Sequence, residues 1–392
     1  MPGSRIPSPF NRILISTCPV SHIEPMLLDP CGRPVTNLRI SVTQECNQRC
    51  LYCHREGERR PQKAAQRAGP DGAAMMSPGE IARLAGMAAS LGMKKVKITG
   101  GEPLARNDLP DIISGAAPHL REVSLTTNGT LLGAMARKLK AAGLSRVNVS
   151  LDSVVPRTYE RITGTRKLGQ AIRGIRAARQ AGLVPVKLNM VVLKGLNELE
   201  IVRMMRFAAD EGAILQLIEL EAPKGALSAG WYQAYHADLM GIESELARTA
   251  DRVRTRAMHH RRKYFVREDA LDHLLADAPD FRPGSVNERR RGAAPDLSQE
   301  RARRLEVEIV RPVHNTEFCA HCNRLRLSSD GRLVPCLFRN ERGVDVLGPL
   351  RRGATDSALA GLFREAVSRR EPYWSADELT GRENGRELGT CP

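Results

Sequence analysis

Six of the nine cysteines fall into two triplets, and their spacing is the clearest chemical signal in the chain. Cys46, Cys50 and Cys53 stand at C-x3-C-x2-C, just after the short apolar run Leu38 to Val42. Three thiolates can hold three irons of a 4Fe-4S cube, leaving the fourth iron open, whereas ordinary clusters take four cysteines. An aromatic, Tyr52, lies inside the triplet. The competing chemistry is a structural zinc site, which closes with a fourth ligand; His54 is the nearest candidate, although zinc spacings usually pair C-x2-C units.

Cys319, Cys322 and Cys336 form the second triplet, with thirteen residues between the last two. Ser329-Asp330-Gly331 offers a turn that would bring Cys336 back as the far arm of a hairpin. Two chemistries fit: a second three-cysteine cluster with one iron free for substrate, or a zinc ribbon closed by His321 or His314. Arg324 and Arg326 sit between these cysteines. In a strand they project from one face, and paired guanidiniums suit bidentate recognition of phosphate. Gly100-Gly101-Glu102-Pro103 is a further site candidate. Its glycines permit close approach to a ligand, and its backbone groups with the Glu102 carboxylate could hold an amino acid's ammonium.

The elements that must position these groups alternate along the chain. Strands are expected at Leu38–Val42, Lys95–Thr99, Val123–Thr127, Arg146–Leu151, Val184–Leu193 and Ile214–Leu220. Helical runs separate them, the first opened by the capping box Ser77-Pro78-Gly79-Glu80. Such alternation implies βαβ units and a parallel sheet. Six units are too few for a full eight-stranded barrel. The expected fold is α/β, a partial (β/α)6 TIM-type barrel with its chemistry at the strand C-termini. Both the first triplet and the Gly-Gly-Glu-Pro turn fall at such ends. After about residue 222 the alternation stops, and an α+β region carries the second triplet. Strands are expected there at Lys263–Arg267 and Leu305–Val310, with helices at Ala237–Ala250 and Asp356–Arg369. The division reads as an extension over 1–28, a core over 29–222 and a C-terminal region over 223–392. Residues 61–74 and 282–304 read as loops.

Composition narrows the class. The chain has 392 residues, 42% of them hydrophobic, enough for a sizeable core. No apolar run approaches the roughly 18 residues of a membrane span, and residues 1–25 lack a secretory apolar region. Clustered cysteines point to metal sites in a reducing cytoplasm rather than a disulfide framework. The net charge of +16 suggests a polyanionic partner, but only 4% of residues are aromatic, which argues against a base-stacking platform for nucleic acid. A zinc-dependent nucleic-acid binder is the alternative from another class, and metal content discriminates it.

The runs TNLRISVTQECNQRCLYCHREGE, KITGGEP, TTNGT, NVSLDS and FCAHCNRLRLSSDGRLVPCL, in that order from about Asp29 to Phe338, together resemble the GTP 3′,8-cyclase family of molybdenum cofactor biosynthesis. That family belongs to the radical S-adenosylmethionine (SAM) superfamily, and the CHREGE ending is similar to archaeal members. The resemblance implies two 4Fe-4S clusters and SAM as cofactors. Reductive cleavage of SAM would give a 5′-deoxyadenosyl radical that takes the 3′ hydrogen of GTP. The C3′ radical then attacks C8, giving 3′,8-cyclo-7,8-dihydro-GTP.

By the same resemblance Cys46, Cys50 and Cys53 ligate the SAM cluster, and Cys319, Cys322 and Cys336 ligate the second. Tyr52, Gly101, Ser150 and Glu221 contact SAM. Arg39, Lys97, Thr126, Lys187, Arg324 and Arg326 contact GTP, with Arg39, Arg324 and Arg326 also serving catalysis. Expected partners are GTP, an external low-potential electron donor and a downstream cyclic pyranopterin monophosphate synthase, with no membrane and no nucleic acid; a homodimer is one compatible assembly. Two departures from the family pattern stand out. Gln216 occupies the sixth-strand position where members carry an arginine for the SAM carboxylate, and Glu221 replaces a methionine. The C-terminus reads Leu388-Gly389-Thr390-Cys391-Pro392 rather than ending in Gly-Gly. A radical SAM peptide- or tetrapyrrole-modifying enzyme with an auxiliary cluster is the nearest alternative.

Overall fold

The computed structural model describes residues 26–54, 75–267, 269–271 and 304–374. The N-terminal extension before residue 26, the loop 61–74, the insertion up to residue 303 and the C-terminal tail from 375 lie outside the described residues.

Alternation of side chains dictates the central sheet. In Leu38-Arg39-Ile40 and Val96-Lys97-Ile98 the apolar members are buried, while each intervening cation faces the other side and lines a cavity. A strand places successive side chains on opposite faces, so one face packs on helices and the other carries chemistry. Six strands follow in order: β1 (Asn37–Ser41), β2 (Lys95–Thr99), β3 (Glu122–Thr127), β4 (Arg146–Ser150), β5 (Lys187–Val192) and β6 (Ile214–Glu219). Each pairs in parallel with the next. Helices connect them: α1 (Pro78–Ser90), α2 (Leu109–Ala116), α3 (Leu132–Ala141), α4 (Pro156–Thr163), α5 (Leu168–Gln180) and α6 (Ile201–Asp210). The capping box that opens α1 forms as expected, with Glu80 N–H donating to Ser77 Oγ at 3.2 Å and Ser77 N–H to the Glu80 carboxylate at 2.7 Å.

The later chain extends this sheet at both sides. Strands β7 (Arg252–Thr255), β8 (Arg262–Arg267) and β9 (Arg304–Val310) continue from β6, with β9 parallel to it. Strands β10 (Arg324–Leu327), β11 (Arg332–Val334) and β12 (Val344–Asp345) continue from β1, with β10 parallel to it. The order is β12-β11-β10-β1-β2-β3-β4-β5-β6-β9-β8-β7. The six βα units therefore stand as the sequence implies. The sheet is longer than those six units, and among the described strands β12 and β7 are its edges rather than partners in a closed barrel. The strands β7 and β12 and the helix α2 were not anticipated; they are only two to eight residues long.

Candidate active site

The first triplet sits on a loop pinned from three directions. Gly101 N–H donates to Thr43 O and Glu102 N–H to Glu45 O, both at 2.7 Å, which clamps the β2 turn to the loop. A Cβ on Gly101 would lie 2.2 Å from Glu45 O, so only glycine permits this approach. From the β3 end, Asn128 donates to Asn47 Oδ1 at 2.7 Å, and Asn47 donates to Thr130 Oγ1 at 3.0 Å. From α4, Thr163 O and Ile162 O accept the N–H groups of Arg49 and Leu51. Glu102 differs from the sequence expectation. Its carboxylate is fully buried and accepts from Leu104 N–H, Thr127 Oγ1 and Asn128 N–H, so it braces the turn instead of meeting an ammonium.

Tyr52 is oriented by its hydroxyl, which donates to Asp152 Oδ2 at 2.7 Å. Burial raises the Asp152 carboxyl to about 6, against the opposing hydrogen bonds from Tyr52 and Val191. Burial raises the thiol of Cys50, and Asp152, Cys53 and Cys46 add to it through their charges. The sulfurs of the triplet thus feel one another.

The second triplet is held by the expected hairpin. Asn315 caps the short helix Thr316–Ala320 that carries Cys319, accepting from Phe318 N–H at 2.9 Å. β10 and β11 pair antiparallel and return the chain to Cys336. Trp374 N–H donates to Cys319 Sγ at 3.4 Å. Burial would raise the Cys322 thiol, but Arg370 and Arg324 outweigh it and lower it.

Both triplets fit an iron–sulfur cluster better than one zinc ion. Among the described residues, the three-residue group whose ligand atoms all lie within 4.8 Å of one another is His260, Glu317 and His321, not a cysteine set. Tetrahedral zinc with bonds of about 2.3 Å needs sulfurs about 3.8 Å apart. His321 Nδ1 lies 3.0 Å from Glu317 O, and its ring belongs to the group with His260 and Glu317.

Between Tyr52 and the second triplet lies a cavity of about 670 Å³. Strand register builds its floor. Arg326 on β10 pairs with Arg39 on β1, Arg39 with Lys97 on β2, Lys97 with Ser124 on β3, and Ser124 with Arg146 on β4. Four cations therefore stand in one row across five adjacent strands. Like charges so placed repel, and burial raises the cost. Burial, then Arg146, Arg39, Arg324 and Lys187, push the Lys97 ammonium well below its ordinary value. Burial and neighbouring cations likewise lower Arg324.

The cavity gathers Arg39, Tyr52, Lys97, Thr126, Lys187 and Glu221 with Arg324, Arg326, Cys319, Cys322 and Cys336. Cys46, Cys50, Cys53, Gly101 and Ser150 are not in its wall; they belong to the pinned loop and the adjoining strand ends. The Thr126 hydroxyl is buried without a partner. Lys187 pairs with Glu308 Oε1 at 2.5 Å, and Gln216 donates to Glu308 Oε2. Arg256, Arg261 and Lys263 complete the charges around Glu308. Arg146, Arg256, His259, Arg261 and Glu308 were missed by sequence reasoning. Glu308 and Arg146 left a signal, each as a charge in an apolar alternation: Leu305, Val307, Ile309 for the one and Val147, Val149 for the other.

This fold and its pinned cysteine loop define a radical SAM protein. A family profile described as Radical SAM superfamily matches residues 40–208, and one described as Molybdenum Cofactor Synthesis C matches 251–376. Crystal structures of Streptococcus suis SuiB share the fold, with a TM-score of 0.52 at 14% identity over 91% of this chain and 70% of that one. The "Probable GTP 3′,8-cyclase" of Pyrococcus horikoshii is 45% identical over 90% of this chain and 99% of its own length. That of Methanosarcina mazei is 44% identical over 90% and 91%. The chain belongs to the GTP 3′,8-cyclase family. Radical SAM membership implies a 4Fe-4S cluster and bound SAM. No helix of the described residues is long and apolar enough to cross a membrane.

Proposed function

We propose that this enzyme converts GTP to 3′,8-cyclo-7,8-dihydro-GTP, the first step of molybdenum cofactor biosynthesis. The observation that carries the reading is the register row Arg326, Arg39, Lys97 and Arg146 on the cavity floor, which concentrates positive charge where a triphosphate would bind, although Glu122 already pairs Arg146 at 2.7 Å. The shared name of relatives about 45% identical over nearly the whole chain supports it.

In this reading Cys46, Cys50 and Cys53 hold a 4Fe-4S cluster that, when bound, supplies the electron for cleaving SAM to methionine and a 5′-deoxyadenosyl radical. Tyr52, fixed by Asp152, borders the adenosine; Gly101, Ser150 and Glu221 complete the SAM contacts. Arg39, Lys97, Thr126, Lys187, Arg324 and Arg326 bind and orient GTP, so that its C3′ hydrogen faces SAM and C8 lies within reach of C3′. Arg39, Arg324 and Arg326 remain beside the reacting nucleotide throughout. Cys319, Cys322 and Cys336, which line the same cavity, would hold a second 4Fe-4S cluster with one iron open to substrate. Residues 29–222 form the radical core and 223–392 the C-terminal substrate and auxiliary-cluster region, with GTP contacts drawn from both. The product passes to a cyclic pyranopterin monophosphate synthase, an external low-potential donor supplies electrons, and the enzyme works in the cytoplasm, where a homodimer is one assembly to test.

Anaerobic reconstitution tests the reading. About eight irons should bind per chain as two cubes, and SAM, reductant and GTP should yield 5′-deoxyadenosine and the cyclised nucleotide. A loaded enzyme that forms neither with GTP would overturn it. Arg324→Ala and Arg326→Ala should weaken GTP binding far more than SAM cleavage; equal loss of both would count against a triphosphate role.

A further inference from the structure

His259 is only 2% exposed, yet it lines the cavity and neither ring nitrogen has a hydrogen-bond partner. Buried polar atoms are nearly always satisfied, and an unsatisfied one calls for a missing partner. Its backbone is left-handed, at φ 62°. Non-glycine residues adopt that conformation rarely, and such strain gathers where a side chain must be aimed. The ring is stacked on Phe318, with centroids 3.8 Å apart and planes at 24°. The main-chain N–H of His259 donates to His321 O at 3.0 Å. Backbone and ring are therefore both fixed, and the two nitrogens are all that is left unsatisfied.

The surroundings say what could satisfy them. Burial, then Arg324, Arg261, Arg39 and Arg326, hold the imidazole far below its ordinary value, hence neutral. A neutral imidazole keeps one N–H donor and one acceptor. A donor set among guanidiniums meets the most negative part of any ligand drawn into that field.

We propose that His259 is a further substrate-binding residue, donating a ring N–H to the polyphosphate of the bound nucleotide. The inference rests on the reading of this cavity as the GTP site. Stacking on Phe318, the neighbour of Cys319, sets the position of that donor next to the second triplet.

Two kinds of variant separate hydrogen bonding from packing. His259→Phe keeps a ring against Phe318 and deletes both nitrogens. His259→Asn and His259→Gln lose the ring but retain an N–H at the Nδ1 or Nε2 side. Dissociation constants for GTP and for inorganic triphosphate would be measured anaerobically on cluster-loaded protein, with iron content as a check on folding. For His259→Phe we expect both ligands to bind about 10- to 100-fold more weakly at full iron content, as loss of one hydrogen bond to a charged group implies. At least one amide variant should recover most of that loss. Wild-type affinity in His259→Phe, with loss in both amide variants, would show a packing residue and overturn the proposal. Weaker GTP binding with unchanged triphosphate binding would overturn the assignment to phosphate. Failure of the wild-type enzyme to bind GTP at all would instead defeat the reading of the cavity.

Discussion

Gln216 donates its side-chain N–H to Glu308, its register partner across the β6–β9 ladder. The carboxylate it meets is completely buried and is the hub of the cavity's cations. Lys187 lies 2.5 Å away, Arg256 3.1 Å, Lys263 3.4 Å and Arg261 3.7 Å. Burial would raise the Glu308 carboxyl, but Lys187, Arg261 and Arg256 overcome this and hold it well below the carboxylate range. Gln216 is thus tied to a second strand whose anion gathers several cations at once.

Glu308→Gln removes that anion and leaves the nearby cations buried without their counter-charge. Breaking a buried pair in this way costs about 3–5 kcal/mol. The urea midpoint of the variant should fall accordingly, and inorganic triphosphate should restore more stability to it than to the wild type. An unchanged midpoint would remove Glu308 from its central place.

Lys187 makes GTP affinity depend on pH in a defined direction. Burial lowers its ammonium to about 8, with Glu308 opposing that shift. Without ligand, Lys187 is mostly charged at pH 7 and mostly neutral at pH 9. Phosphate favours the charged form, so binding above pH 8 must take up a proton. The GTP dissociation constant should rise about tenfold between pH 7 and 9. Lys187→Arg, charged throughout, should flatten that profile. A flat wild-type profile would place Lys187 away from the phosphates.

Much of this site could be read from the sequence because it is written locally. The triplets, the Gly-Gly turn and the alternation Leu38-Arg39-Ile40 each declare their spacing within a few residues. What could not be read depends on strands far apart in the chain. Glu308 meets Lys187 and Gln216 only because β9 inserts beside β6 after an excursion of some 85 residues from Glu219 to Arg304. Arg146 joins the cation row only through β4's register with Ser124. Glu102 was misjudged for a related reason. Its carboxylate is visible in the sequence, but the Thr127 and Asn128 donors that consume it come from the next strand's end. That the later strands join the same sheet could not be read either, because it depends on β10 pairing with β1 and β9 with β6.

Asp29 links the first described turn to the second triplet. Its carboxylate pairs with Arg33 at 2.7 Å and Arg370 at 2.9 Å, and both Asp29 and Arg370 are essentially inaccessible. Each guanidinium then reaches a cysteine's main chain: Arg33 donates to Cys319 O and Arg370 to Cys322 O, both at 2.7 Å. One buried anion therefore sets the backbone of two of the three cysteines. Asp29→Asn keeps the shape but removes the carboxylate shared by two buried guanidiniums, a loss of up to about 3–5 kcal/mol that the neighbouring Cys322 sulfur offsets in part. Because the first triplet is pinned by other contacts, the loss should fall on the second. Iron per chain should drop from about eight towards about four, while SAM cleavage in the absence of GTP persists. Retention of the full iron complement with an unshifted unfolding midpoint would show that Asp29 does not support the second site.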